Sequence, residues 1–169
     1  MIRIFLIASL IISNFTSAEY TNSNGKALEK PFKDLIKWVR SDVEPKLAQI
    51  DVSSEWQTIN LNEADNYIIW IGHSTFLIKK DGITILTDPV FSDRASPFKN
   101  VGPERLIPPA MSINQLPKID FVTVSHNHYD HLDINSLKQI SKLHSEAIFF
   151  VPIGDGRLLK RKRIKNVYE

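Results

Sequence analysis

Ser125-His126-Asn127-His128-Tyr129-Asp130-His131-Leu132-Asp133 holds three of the chain's five histidines within six positions, with an aspartate beside the third. Neutral imidazole and carboxylate are the usual ligands of a borderline-soft divalent ion such as zinc, so this crowding suits a metal site. The residues just before it, Ile119-Asp120-Phe121-Val122-Thr123-Val124, form an apolar run that predicts a strand delivering the cluster at its end. Alternate side chains of an extended segment point the same way, so His126 and His128 can converge on one ion while Asn127 and Tyr129 face away. Asp130 and His131, in the turn that opens the next element, can reach a second ion close by, an arrangement used by two-metal hydrolases. The competing possibility is a solvated, helix-capping turn that happens to be rich in histidine.

Downstream, Asp133 is placed to cap a helix by accepting from a first-turn N–H, and Ile134, Leu137 and Ile140 form that helix's inner stripe. Ala147-Ile148-Phe149-Phe150-Val151 predicts a buried strand, followed by a short basic helix through Lys160, Arg161, Lys162 and Arg163 and a further strand at 166–169. This alternation of strands and helices argues for parallel pairing with crossover helices. Upstream, Tyr67-Ile68-Ile69-Trp70-Ile71, Thr75-Phe76-Leu77-Ile78-Lys79 and Ile83-Thr84-Ile85-Leu86-Thr87 predict a three-stranded meander. The second and third strands join through Asp81-Gly82, a dipeptide that tolerates positive φ at both positions. Between the meander and the cluster, residues 97–117 hold five of the nine prolines and no periodicity, the mark of a functional loop.

The chain has 169 residues, 43% hydrophobic and 24% charged, an ordinary globular composition for one domain. A net charge of +2 exerts no general pull toward nucleic acid, and none is expected as a partner. With no cysteine, neither a disulfide framework nor a thiolate metal site is available, so any metal must be held by His, Asp or Glu. At the start, Arg3, the apolar run 4–12 and the small residues Thr16-Ser17-Ala18 have the layout of a signal peptide cleaved after Ala18. An exported chain, periplasmic or secreted, is the expectation, with an uncleaved anchor or a buried strand as alternatives. The run falls short of the roughly 20 residues of a membrane span. After a polar stretch, Pro31 opens a helix whose Phe32, Leu35, Ile36 and Val39 form one apolar stripe, suited either to packing or to peripheral membrane contact. The expected organisation is therefore a signal peptide at 1–18, an extension with one amphipathic helix at 19–66, and a catalytic-type domain from 67 to 169.

His126-x-His128-x-Asp130-His131 after an apolar strand resembles the motif of the metallo-β-lactamase superfamily of αββα metallohydrolases. Trp70-Ile71-Gly72-His73-Ser74-Thr75-Phe76, Leu86-Thr87-Asp88-Pro89-Val90-Phe91-Ser92 and the segment from Ser125 to Leu132 are similar to the branch containing N-acylphosphatidylethanolamine-hydrolysing phospholipase D and its bacterial relatives. The resemblance implies an α/β fold: the N-terminal half of a four-layer αββα sandwich with a mixed sheet. It implies two zinc ions, with His126 and His128 on the first and Asp130 and His131 on the second, and Asp130 also as the catalytic candidate. The family's remaining ligands come from later in the chain and have no counterpart here, so a truncated domain is expected. The implied activity is phosphodiester hydrolysis of phospholipase D type on an N-acylated phospholipid, or on a small molecule. The alternatives are a related hydrolase of lactones or amides, and a non-catalytic remnant that binds metal weakly. Oligomeric state is left open.

Three further residues are candidates around the site. His73 lies in a turn that the resemblance places nearby, with hydrogen bonding, substrate contact or direct ligation as its alternatives. Asp88, at a strand end, either orients a ligand or caps a turn. Tyr129 is a candidate for substrate contact. His144, at the expected C-terminus of the helix after Asp133, is expected to be a surface residue that compensates the helix dipole.

Overall fold

A computed structural model describes residues 33, 34, 36, 37, 53–98, 100 and 102–169. Two compact units divide the chain, Met1–Ala48 and Gln49–Glu169. Of the first, Lys33, Asp34, Ile36 and Lys37 are helical, in keeping with the expected helix there. The signal peptide at 1–18 and the other stripe positions, Phe32, Leu35 and Val39, lie outside the described residues. Among the described residues no helix is long and apolar enough to cross a membrane.

In the second unit the meander forms as expected, with β1 at Tyr67–Gly72, β2 at Thr75–Lys80 and β3 at Ile83–Thr87, all antiparallel. Asp81 and Gly82 turn the chain with φ of 50° and 81°, the paired positive values that a two-residue hairpin needs. Three short strands then add in parallel: β4 (Phe121–Thr123), β5 (Ile148–Phe150) and β6 (Val167–Tyr168). The result is one mixed six-stranded sheet in the order β1-β2-β3-β4-β5-β6. β4 is shorter than its apolar run, and at its start the Asp120 side chain accepts from Thr84 N at 2.9 Å.

The register explains the core. Ile69, Leu77, Leu86, Val122, Phe149 and Val167 are paired in succession across all six strands, and every one is buried. Helix α1 (Ile134–Leu143) lays Leu137 and Ile140 in the same core, and α2 (Gly156–Arg161) adds Leu159. Asp133 caps α1 as expected, its carboxylate accepting from Asn135 N and Ser136 N. The loop at 97–117 is less open than its prolines suggest: Met111, Ile113 and Leu116 are core residues, around a 3-10 turn at Ile113–Gln115. The opposite sheet face carries Ile68, Trp70, Phe76, Phe150 and Tyr168, all exposed, with Ile68 at 71%. Parallel strands are ordinarily covered on both faces, so an apolar face of this kind is unusual.

His144 is the C-cap of α1, but it is not the exposed dipole-compensating residue that its position suggested. Its Nε2 is buried with no hydrogen-bond partner, and burial lowers the imidazole's pKa from the ordinary 6.5. Desolvation of the charged ring outweighs the favourable helix end. The sign follows directly. Where the folded pKa is depressed, acidification through about 6.5 lets the unfolded chain take up a proton that the folded chain resists, so stability falls. His144→Phe is therefore expected to unfold with a shallower loss of stability between about pH 7 and 5 than the parent. Denaturant titrations of both proteins across that range test it, and parallel pH profiles would show that His144 does not contribute.

Candidate metal centre

Three local structures bring the site together at one end of the strands. The first is the exit from β4. After Val124 the chain leaves the ladder, then turns so that His131 N and Leu132 N both donate to His128 O, at 3.0 and 2.7 Å. That turn folds Asp130 and His131 back beside His126 and His128: the His126 ring centroid lies 4.7 Å from that of His128 and 3.9 Å from that of His131. Asn127 faces away, donating from Nδ2 to Asp155 at 3.3 Å, as strand alternation requires. Tyr129 is exposed.

The second is the end of β3. Asp88 is buried, 7% exposed, with φ of 36°, and its carboxylate gathers three donors. Ser125 N and Ser125 Oγ donate to it at 2.6 and 2.8 Å, and His131 Nδ1 lies 2.9 Å from Oδ2. A carboxylate only accepts, so a neutral His131 ring donates from Nδ1 and presents a bare Nε2. With its one proton on Asp88, the Ser125 hydroxyl accepts from His126 Nδ1, 3.0 Å away, and also lies 3.2 Å from His131 Nδ1. A neutral His126 ring donating in this way likewise has a bare Nε2. One buried carboxylate thus sets the tautomer of two rings, directly and through Ser125.

The third is the β1–β2 turn. Gly72 and His73 both have positive φ, 142° and 50°. Trp70 Nε1 donates to His73 O at 2.8 Å and Thr87 Oγ1 to Ser74 O at 2.8 Å. The buried Thr75 hydroxyl links this turn to the Asp88 segment, donating to Asp88 O and accepting from Val90 N. Arg105 completes the scaffold from the proline-rich loop: its guanidinium donates to Val90 O and Ser92 O. It also sits where a side chain on Gly72 would touch it, with Nη1 3.4 Å from that position.

The ligand atoms fall into two overlapping groups. His126, His128 and Asp130 each offer one atom within 4.8 Å of the others, and so do His73, Asp130 and His131. His126 and His128 fall in one group and His131 in the other, with His73 beside His131 and Asp130 common to both. Burial, followed by repulsion from His131 and His128, lowers the pKa of His126, favouring the neutral imidazole that a metal requires. Neutral imidazoles with oriented Nε2 atoms and carboxylates, with no thiol, make a donor set that fits a divalent ion of zinc type. Ser125 and Arg105 had no assigned role in the sequence. Ser125 stands at a strand exit immediately before the first histidine, and that position was its only signal.

Residues 67–168 match the Beta-lactamase superfamily domain. The chain is 42% identical over 103 residues to the N-acyl-phosphatidylethanolamine-hydrolyzing phospholipase D 1 of Caenorhabditis elegans, covering 61% of this chain and 29% of that protein. It is 48% identical over 93 residues to an uncharacterized protein of Mycobacterium tuberculosis, covering 55% and 25% respectively. A metal-dependent hydrolase of Lawsonia intracellularis is 38% identical over 65 residues, covering 38% of this chain and 23% of that one. The chain spans about a quarter of the length of these relatives. The match to the superfamily domain runs from β1 to β6 and includes the turn after β4: the chain belongs to the metallo-β-lactamase superfamily.

Proposed function

We propose that the chain carries the histidine half of a zinc-dependent hydrolase centre, with His126 and His128 as ligands of one ion and Asp130 and His131 as ligands of a second. The observation that carries this reading is the Asp88–Ser125–His126 and Asp88–His131 hydrogen bonding, which favours the tautomer of each neutral imidazole that turns a bare Nε2 toward the site. A bound divalent ion supplies Lewis acidity at a phosphoryl or carbonyl oxygen and lowers the pKa of water. The chain's own residues fix the geometry. Asp88 holds the rings, and Asp130, within reach of both ligand groups, is the residue through which the two halves of the site are joined. Tyr129 lies at the exposed rim, where a substrate would arrive.

Similarity to the C. elegans phospholipase supports a phosphodiester in an N-acylated phospholipid as the substrate. A second reading, metal binding without turnover, is favoured by Asp130 being shared between both groups, which leaves five donors for two ions among the described residues. One assay separates them. The zinc-loaded chain is offered vesicles containing N-acylated phosphatidylethanolamine and, separately, a lactone and an amide. The expected result is phosphodiester cleavage that disappears on chelation and in His128→Ala. Cleavage of the lactone or amide alone would replace the substrate class, and zinc binding with no turnover on any of the three would leave the second reading standing.

A further inference from the structure

We propose that His73 is itself a metal ligand, the third protein donor of a site formed with Asp130 and His131. The inference rests on the metal-binding reading above and extends it to a residue on a different strand connection.

The geometry of the three donors carries it. His73 Nε2 lies 3.3 Å from Asp130 Oδ2, and His131 Nε2 lies 3.7 Å from the same oxygen. Bonds of about 2.0–2.2 Å to imidazole nitrogen and carboxylate oxygen place neighbouring corners of a tetrahedron about 3.3–3.6 Å apart. The first distance sits at that spacing and the second just beyond it, and both exceed the roughly 2.7–3.2 Å of an N–H···O hydrogen bond. The two rings meet edge to face, with centroids 5.2 Å apart and planes at 68°, so they approach Asp130 from different directions. Asp88 already holds His131 by Nδ1, the arrangement in which a carboxylate orients a ligand from behind.

The backbone points the same way. His73 adopts φ of 50°, a left-handed conformation that is uncommon outside glycine and that Asp81, Asp88, Arg163 and Asn166 also take. The turn is held there from two sides, by the Trp70 indole on His73 O and by the Thr87 hydroxyl on Ser74 O. A simple ion pair would not repay that strain. The His73 and Asp130 side chains are 49% and 46% exposed, and pairs so open to water contribute little. A bond to a metal would.

The test uses cobalt(II) as the probe metal on the full chain stripped of metal, with chelator competition for affinity and visible absorption for coordination. The parent is expected to bind two equivalents. His73→Gly relieves the left-handed backbone, and His73→Asn tolerates it, so both variants are expected to fold. In each, the first equivalent should bind as in the parent, while the second weakens at least tenfold and its absorption changes. Added imidazole should restore both properties in His73→Gly. Wild-type affinity and spectrum for both equivalents in the variants would overturn the assignment. So would a loss that imidazole cannot restore, because His73 would then act on the site without ligating. A parent chain that binds no cobalt would overturn the metal-binding reading itself, and the ligand assignment with it.

Discussion

Asp88→Asn is expected to weaken metal binding by about 10- to 100-fold, the usual effect of removing the acceptor behind a ligating histidine. The substitution keeps the shape and changes only the proton inventory. The carboxylate accepts from Ser125 N, Ser125 Oγ and His131 Nδ1, whereas an amide offers one acceptor oxygen and an NH2 group. If the NH2 faces His131, the ring must shed its Nδ1 proton and carry it on Nε2, the atom needed for the metal. If the NH2 faces the Ser125 N–H instead, that part-buried donor loses its partner, at a cost of about 1 kcal/mol. Chelator competition on Asp88→Asn measures the first effect and urea denaturation of the metal-free protein the second. A folded variant with unchanged affinity would remove Asp88 from the account of the site.

Phe149→Ala is expected to destabilise the fold by about 3–5 kcal/mol, which is a large share of the roughly 5–15 kcal/mol available to a typical domain. Phe149 is 1% exposed and is paired between Val122 and Val167 in the core row. Phe150, one residue on, belongs to the other face and is exposed, so Phe150→Ala should shift stability by only about 0.5 kcal/mol. Urea denaturation of the two variants side by side reads the contrast. Similar losses in both would mean that the two sheet faces are not distinguished in the way the register indicates.

Features with a short repeat or a local chemical logic were legible in the sequence. Short apolar runs located β1 to β3, Asp81-Gly82 located the β2–β3 hairpin, and the strand–helix order foretold the parallel pairing of β4, β5 and β6. The metal-type cluster was legible because His126, His128, Asp130 and His131 are neighbours in sequence as well as in space. What was hidden depends on distant partners. Met111, Ile113 and Leu116 enter the core from a loop without periodicity, so no pattern marks them as buried. The proximity of His73 to Asp130 arises from the pairing of β1 with strands that lead, through β3, to β4. For His144 the helix end was read correctly, but its burial depends on packing that the helix's own sequence does not reveal.

The bonds of Asp88 also bear on when the centre comes into being. They join it to Ser125 across 37 positions and to His131 across 43, so they cannot precede the parallel docking of β4 against β3. Closing so long a loop is a slow, non-local event. The histidines between 126 and 131 are already near one another in an unordered chain and can capture an ion loosely before that. The oriented rings arrive only afterwards. An ion held by the finished site therefore acts as a late clasp, slowing the escape of a folded molecule far more than it hastens the folding of a new one.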